Sequence, residues 1–339
     1  MRNDTRRLFN AYLSQLATLN NVESVVEKFT VEPSVQQTLE TRIQESSAFL
    51  GKINIVGVPE QAGDKLGLGV SGPIASTTNT NTTDRATRDP LALDETGYFC
   101  TQTNFDTHIR YATIDMWAKF KDFQARLRDA ILRRQALDRI MVGFNGTSRA
   151  ATSDPVANPL LQDVNIGWLQ KYRAHAAARV MAEVVAASGA VKVGGGAGTD
   201  YKNLDALVFD AVGNLIDPWF REDTDLVAVM GRELLDDKYF PIVNANHAPT
   251  ETLAADIIIS QKRVGGLPAV RVPFVPAGTI LITRLDNLSL YWQEGTRRRT
   301  VVDNAKRDRI ENYESSNEAY VVEDYGCGCL IENIQIINA

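Results

Sequence analysis

The sequence predicts an α+β protein. Three observations carry that class: an unbroken helical run mid-chain, a long alternating strand just before it, and a region after residue 200 where short helices are followed by short strands. From Ala112 to Phe144, Trp117, Phe120, Phe123, Leu127, Ile131, Leu137, Ile140 and Met141 recur at helical spacing. Neither Pro nor Gly intervenes before Gly143. Such a helix is about 45 Å long. From Phe99 to Tyr111, Phe99, Thr101, Thr103, Phe105, Thr107, Ile109 and Tyr111 alternate with Cys100, Gln102, Asn104, Asp106, His108 and Arg110. That strand extends roughly 44 Å. A compact globule of this size has a radius of gyration of only ~20 Å, so these two elements point to a flat or extended subunit.

Composition narrows the class. Of the 339 residues, 44% are hydrophobic and 23% charged, enough to bury a core. No apolar run approaches the ~18 residues of a spanning helix, which argues against an integral membrane protein. The first twenty residues lack the apolar stretch of a secretory signal. Three cysteines, Cys100, Cys327 and Cys329, make no disulfide framework and fit a reducing compartment. Thirty-six basic residues against 42 acidic give a charge of -6, unlike a protein that coats nucleic acid over a broad face.

At the N-terminus, Leu8, Tyr12, Leu13, Leu16 and Leu19 form a helical stripe behind candidate caps Asn3, Asp4 and Thr5. A polar stretch, Asn20 to Glu27, follows. Pro33 reads as a stop and Ser34 with Gln37 as a capping box, ahead of a second helix bearing Val35, Leu39, Ile43 and Leu50. Neither helix has an evident partner nearby. Ile53, Ile55 and Val58 open a strand; Leu66, Leu68 and Val70 continue it to a polar tip, Ser76 to Asp89, with no core-forming residue. The central helix carries Arg126, Arg128, Arg133, Arg134 and Arg139, balanced by Asp122, Asp129 and Asp138. That pattern reads as a solvated face, with contact to another subunit or to enclosed nucleic acid as the sharper alternative. Trp168 to Val185 is expected to be helical, and Gly189, Gly194–Gly196 and Gly198 to mark a flexible connector. Beyond it come a helix over Leu204 to Ile216, ended by Pro218, and strands at Leu226–Met230, Ile257–Ser260, Ala269–Phe274 and Thr279–Thr283. The C-terminal part is strand-rich: Leu288–Gln293, Arg298–Val302, Ile310–Asp324 and Cys329–Ile337.

Motifs for chemistry are scarce. Gly67–Gly72 matches a dinucleotide-binding turn, but that turn must open a helix, and Pro73 with a Ser/Thr/Asn tract follows instead. A glycine-flexed strand is the preferred reading; a cytosolic α/β enzyme binding a nucleotide there is the alternative. The Gly194–Gly198 cluster lacks the Lys-Ser/Thr of a phosphate loop. His108, His175 and His247 are isolated, and Cys327-Gly328-Cys329 has no second cysteine pair, so small core residues are favoured over zinc ligands. No catalytic, cofactor or metal residue is assigned. Residues 297–309 hold six basic and two acidic side chains, and residues 310–324 only acids. Such strands pair within a sheet or across a subunit contact; Arg297, Arg298, Arg299, Glu311, Glu314 and Glu318 are the candidate intersubunit contacts. A projecting hairpin is marginal alone, so the subunit is read as one whose protrusions are stabilised by sister copies.

Particular stretches carry a resemblance: FNAYLS (9–14), KFTVEPSV (28–35), INIV (53–56), GPIAST (72–77), NFDTHIRY (104–111), FNG (144–146), NPLLQDVNIGWLQKYR (158–173), DKYFPIVN (237–244), LAADIIISQKR (253–263), LPAVRVP (267–273) and ENYES (311–315). Along essentially its whole length the sequence resembles the major capsid proteins of Peduovirus-type contractile-tailed phages. It departs at Asn79–Thr96 and around Val184–Thr199. The resemblance implies the Hong Kong 97-type capsid fold: N-arm 1–52, E-loop 53–105, P-domain with the spine helix 106–199, A-domain 200–285, P-domain strands 286–325, and a final strand 326–339 returning to the A-domain. It further implies hexamers and pentamers that build an icosahedral procapsid around an internal scaffolding protein in the host bacterial cytoplasm. A scaffold-linked protease then trims the N-arm, the shell expands, and double-stranded DNA enters through a portal. The implied cut falls at Phe29 and Thr30, where the preceding polar linker suggests accessibility. Arg133 and Arg134 are candidate inner-surface residues for non-specific DNA contact. No cofactor and no membrane are implied, and the expected location is the virion.

Overall fold

A computed structural model describes residues 1–65, 69–70, 75–87, 91–92, 97–117, 123–196, 198–236, 238 and 262–337. The N-terminal elements are α1 (Asn3–Leu19), β1 (Phe29–Thr30), α2 (Pro33–Glu45) and β2 (Asn54–Val58). Four short strands follow: β3 (Ala62–Gly63), β4 (Gly69–Val70), β5 (Leu91–Ala92) and β6 (Tyr98–Phe99). Next come β7 (Thr101–Asn104), β8 (Thr107–Arg110), α3 (Tyr111–Trp117), α4 (Phe123–Asn145) and α5 (Trp168–His175). The middle of the chain supplies β9 (Val180–Met181), β10 (Val191–Gly194), α6 (Leu204–Leu215), β11 (Val227–Met230), β12 (Arg263–Val264), β13 (Leu267–Arg271) and β14 (Ile280–Thr283). The C-terminal strands are β15 (Leu288–Gln293), β16 (Arg298–Asn304), β17 (Arg309–Val322), β18 (Cys329–Ile331) and β19 (Ile334–Ile337).

The chain divides into two compact units. Unit 1 comprises Met1–Gly63, Tyr98–Ile166 and Ser289–Tyr320. Its sheet runs β1-β16-β17-β15-β2, and β7 and β8 also pair with β17. The alternation read from Phe99 to Tyr111 is present only over Thr101–Arg110, as β7 and β8, which hold one antiparallel register on β17 (Asn104 opposite Ser315, Thr107 opposite Asn312). Phe99 lies instead in β6, 59% exposed, and Cys100 of the opposite set is buried. The break falls at Phe105–Asp106, where the Asp106 carboxylate accepts from the Glu314 amide at 3.1 Å, and Tyr111 already belongs to a helix. The central helix is described as α3 and α4; residues 118–122, inside the expected run, lie outside the described residues. Pro33 begins α2 rather than stopping its predecessor, because the first helical position needs no N–H. Glu32 is the N-cap, and no side-chain cap bond is made, so the expected capping box is not formed.

Unit 2 comprises Asp64–Gly97, Gly167–Leu288 and Val321–Ala339. Its main sheet is β12-β13-β11-β14-β18-β9. The core gathers Leu207, Val208 and Ala211 of α6 with Ala228, Met230, Ile280, Ile282, Cys329 and Ile331. The expected helix from Trp168 stops at His175, since Val180–Met181 pairs in parallel with Leu330–Ile331 and strand pairing overrides helix propensity. The expected glycine connector also holds a strand. Val191 and Val193, exposed by only 0% and 2%, alternate with Lys192 in β10, which pairs in parallel with β19. Gly67–Leu68 and Ser71–Gly72 of the glycine motif, the expected strand at Ile257–Ser260 and the matched stretch at 239–244 lie outside the described residues. Gly69–Val70 is strand β4, antiparallel to β5. It therefore does not open a helix, and the nucleotide-turn reading loses the geometry it needs.

Candidate functional site: the N-terminal arm and its charged anchor

The N-terminal segment, read in sequence as partnerless, is docked. One face of α1 is apolar at helical spacing, and Phe9, Tyr12, Leu13, Leu16 and Ala17 from it pack with Val25, Phe29, Val31, Val301 and Ile310. Tyr111 and Ile114 of α3 close the cluster. Polar contacts ring it. Arg6 and the Tyr111 hydroxyl both donate to Asp303. Burial pushes the Asp303 carboxyl up, but those two hydrogen bonds and the Arg6 charge outweigh it and hold the group below its ordinary value. The Arg2 amide donates to Asp115 at 2.9 Å, and the Arg299 guanidinium to the Tyr12 hydroxyl at 3.2 Å.

The stretch carrying Phe29 and Thr30 is the edge strand of the unit 1 sheet. Phe29 sits opposite Arg299 and Thr30 opposite Arg298. On one side the Val301 amide donates to the Val25 carbonyl at 3.0 Å; on the other the Val31 amide donates to the Arg297 carbonyl at 2.8 Å. Phe29 is 7% exposed, and Val25 and Val31 3% each. Asn20, buried at the end of α1, donates to the Leu16 carbonyl at 2.8 Å and accepts from the Glu32 amide at 3.2 Å. One side chain thus ties the end of α1 to the residue before α2. The accessibility expected of this stretch is narrowed: Thr30 is exposed, but Phe29 is buried and both residues are paired in the sheet.

Beneath α2 lies a chain of five buried charges, in the order Glu314, Arg297, Glu40, Arg139, Glu318. Arg139 of α4 donates to both oxygens of Glu40 at 2.6 and 3.1 Å and to Glu318 at 2.6 Å. Arg297 donates to Glu40 at 2.6 Å, to Glu314 at 2.7 Å and to Gln135 at 3.1 Å. Burial pushes the Glu40 and Glu314 carboxyls up, but the guanidinium charges beside them prevail and both titrate below their ordinary values. Arg139 and Arg297 are raised: burial alone lowers them, and the flanking carboxylates reverse that.

These positions correct the candidate charge contacts. Arg297, Glu314 and Glu318 are enclosed within unit 1 and are not available to another subunit. Arg299 donates to Asn312 at 2.6 Å as well as to Tyr12. Glu311 accepts from Arg309, Asn304 and Tyr313. Arg298 alone of the six is exposed. Arg139, grouped in sequence with a solvated face, is 1% exposed. The missed signal was position: Gln135 and Arg139 occupy one turn of α4 among buried Leu132, Ala136 and Ile140, as Gln36 and Glu40 do beside buried Ile43 on α2. Arg133 is exposed, and Arg134 pairs with Asp138 at 2.8 Å.

Among the described residues no group of three or more His, Cys, Asp or Glu could hold a metal ion, and no helix is long and apolar enough to cross a membrane. The cysteine thiols are buried, and desolvation pushes Cys327 up to about 11 and Cys100 and Cys329 up to about 12.

Comparison with known proteins identifies what this scaffold belongs to. Residues 8–334 match the family described as phage major capsid protein, P2 family. The chain is 56% identical to the capsid protein of Escherichia phage P2, over 99% of this chain and 96% of that one. It is 42% identical to the major capsid protein of Serratia phage KSP20, over 98% and 97%. The structure superposes on a chain of the satellite phage P4 procapsid including size determination (Sid) protein with a TM-score of 0.83, 55% identity, and coverage of 100% and 99%. A capsid chain of a native GTA particle shares the fold at 14% identity and a TM-score of 0.51. The fold is therefore the Hong Kong 97-type capsid fold, and the enzyme alternative falls, because the relatives are capsid proteins. Identity that runs end to end, on a backbone those relatives share, settles the family: the chain belongs to the P2-type phage major capsid proteins.

Proposed function

We propose that this chain forms hexamers and pentamers that close into an icosahedral procapsid, is trimmed at its N-terminus, expands, and encloses double-stranded DNA. The observation that carries this reading is the 56% identity to a phage capsid protein over 99% of the chain. In this reading unit 1 supplies the N-arm and P-domain and most of unit 2 the A-domain, with the hairpin around β3–β6 as the E-loop. An internal scaffolding protein with a linked protease, a portal, and DNA held without sequence preference at Arg133 and Arg134 complete the partners. Assembly takes place in the host bacterial cytoplasm.

Electron microscopy of the expressed chain, with and without its scaffold, tests the assembly. Closed shells are expected, and a chain that stays monomeric under both conditions refutes it. Mass spectrometry of the chain from mature particles is expected to find Thr30 at the N-terminus. Arg298, the exposed one of the six candidate contacts, is the remaining candidate for an orientation-setting contact. Arg298→Glu is expected to slow assembly roughly 3–10-fold at low salt and to weaken its salt dependence. Light scattering at two ionic strengths reads both, and unchanged kinetics remove Arg298 from the contact.

A further inference from the structure

We infer that the arm locks its own processing bond: the Phe29–Thr30 link enters a protease only after α1 and β1 have lifted from β16 and β17. The inference rests on that bond being the processing site, as proposed above. Proteolysis of a folded chain proceeds through an opened form, and its rate follows the population of that form when reclosing is fast. Here the backbone on both sides of the bond is engaged. The Val25 carbonyl and the Val31 amide bond to Val301 and Arg297, and Phe29 and Thr30 pair with Arg299 and Arg298. The side chains of Val25, Phe29 and Val31 lie in the same apolar cluster as Leu16. Opening the bond therefore breaks the seat of α1, although α1 ends ten residues upstream at Leu19. The flanking anchors oppose partial opening, since Asn20 holds Glu32 and α2 begins at Pro33.

The consequence is order. The arm is resistant while it is docked on its own subunit, and any event that unseats α1 makes the bond cleavable. Cutting then reports a change in the subunit rather than the mere presence of protease.

Chymotrypsin, which cleaves after aromatic side chains, probes the bond without the phage protease. The readout is the rate at which the fragment beginning at Thr30 appears from the full chain, measured by mass spectrometry. A synthetic peptide spanning residues 22–37 is expected to be cut at least ~100-fold faster than the folded chain. Leu16→Ala, which hollows the cluster away from the bond, is expected to accelerate the cut at least ~10-fold. Leu19→Ala, on the exposed side of the same helix at 55% exposure, is expected to leave it unchanged. Asp303→Asn, which weakens only the polar rim, is expected to raise it a few-fold. A folded chain cut as fast as the peptide, or Leu16→Ala and Asp303→Asn both cut at the parental rate, overturns the lock. A mature chain that begins elsewhere than Thr30 overturns the processing assignment instead, and the chymotrypsin rates still decide the lock.

Discussion

Arg139→Met is expected to destabilise unit 1 by about 3–5 kcal/mol, the range for a buried ion pair that loses one partner. Arg139 is the only cation bonded to Glu318 among the described residues, and Glu318 is fully buried with Oε2 already unpartnered. Methionine fills much of the space but leaves that carboxylate uncompensated. Glu40 keeps Arg297 and is affected less. Adding Glu318→Leu removes the stranded charge and is expected to recover most of the loss, because apolar replacement of a buried pair is often neutral or better. Arg139→Lys is not expected to rescue, since one ammonium cannot reproduce the fork that meets both oxygens of Glu40. Chemical denaturation of the three variants reads these differences, and an Arg139→Met loss below about 1 kcal/mol contradicts the account.

The same network sets a pH signature. Glu40 and Glu314 titrate below their ordinary values in the folded chain. Their contribution is complete above about pH 4.5, the range in which an unfolded chain ionises its glutamates, and is lost as pH falls through the lower folded values. The arginines stay charged throughout. The parent chain is thus expected to weaken on acidification below that point.

Periodicity in the sequence located α1, α2 and α4, because each buries an apolar face at a fixed spacing, and the β7–β8 alternation, whose half-buried face is Thr101, Thr103, Thr107 and Ile109. It did not reveal what those faces meet. The seat of Leu16 is Val301 and Ile310, nearly three hundred residues away, and no local pattern encodes such a contact. Charge misled for a related reason. Arg139 and Arg133 look alike in composition, and only the flanking Ala136 and Ile140 mark Arg139 as inward. The opposite charges of 297–309 and 310–324 correctly signalled adjacent strands, β16 and β17. Whether their ions faced a neighbour or their own core depended on α2, which supplies Glu40 from far upstream. Glycines around 194 misled in the other direction, since Val191 and Val193 were the informative residues there.

Gly328→Ala is expected to cost unit 2 about 3 kcal/mol or more, the penalty of forcing an atom into a closed core. An added Cβ would meet the Tyr172 hydroxyl and come within 2.7 Å of the Ile282 carbonyl oxygen. That carbonyl belongs to β14, which pairs Ile282 with Cys329, so it cannot retreat without breaking the sheet. The Cys-Gly-Cys spacing therefore reflects close packing: two small thiols, 3% and 0% exposed, flank a residue that must lack a side chain. Cys329→Ala, which removes only one buried sulfur, is expected to cost about 1 kcal/mol. Thermal unfolding ranks the two variants, and a chelator is expected to leave the parental midpoint unchanged. With thiols pushed to about 11 and 12, neither Cys327 nor Cys329 is expected to react with iodoacetamide in the folded chain at pH 8, and both should react in urea. Rapid native alkylation, or a midpoint that falls on chelation, would return the motif to reactive or metal chemistry; a Gly328→Ala variant as stable as the parent would show that β14 and Tyr172 can yield.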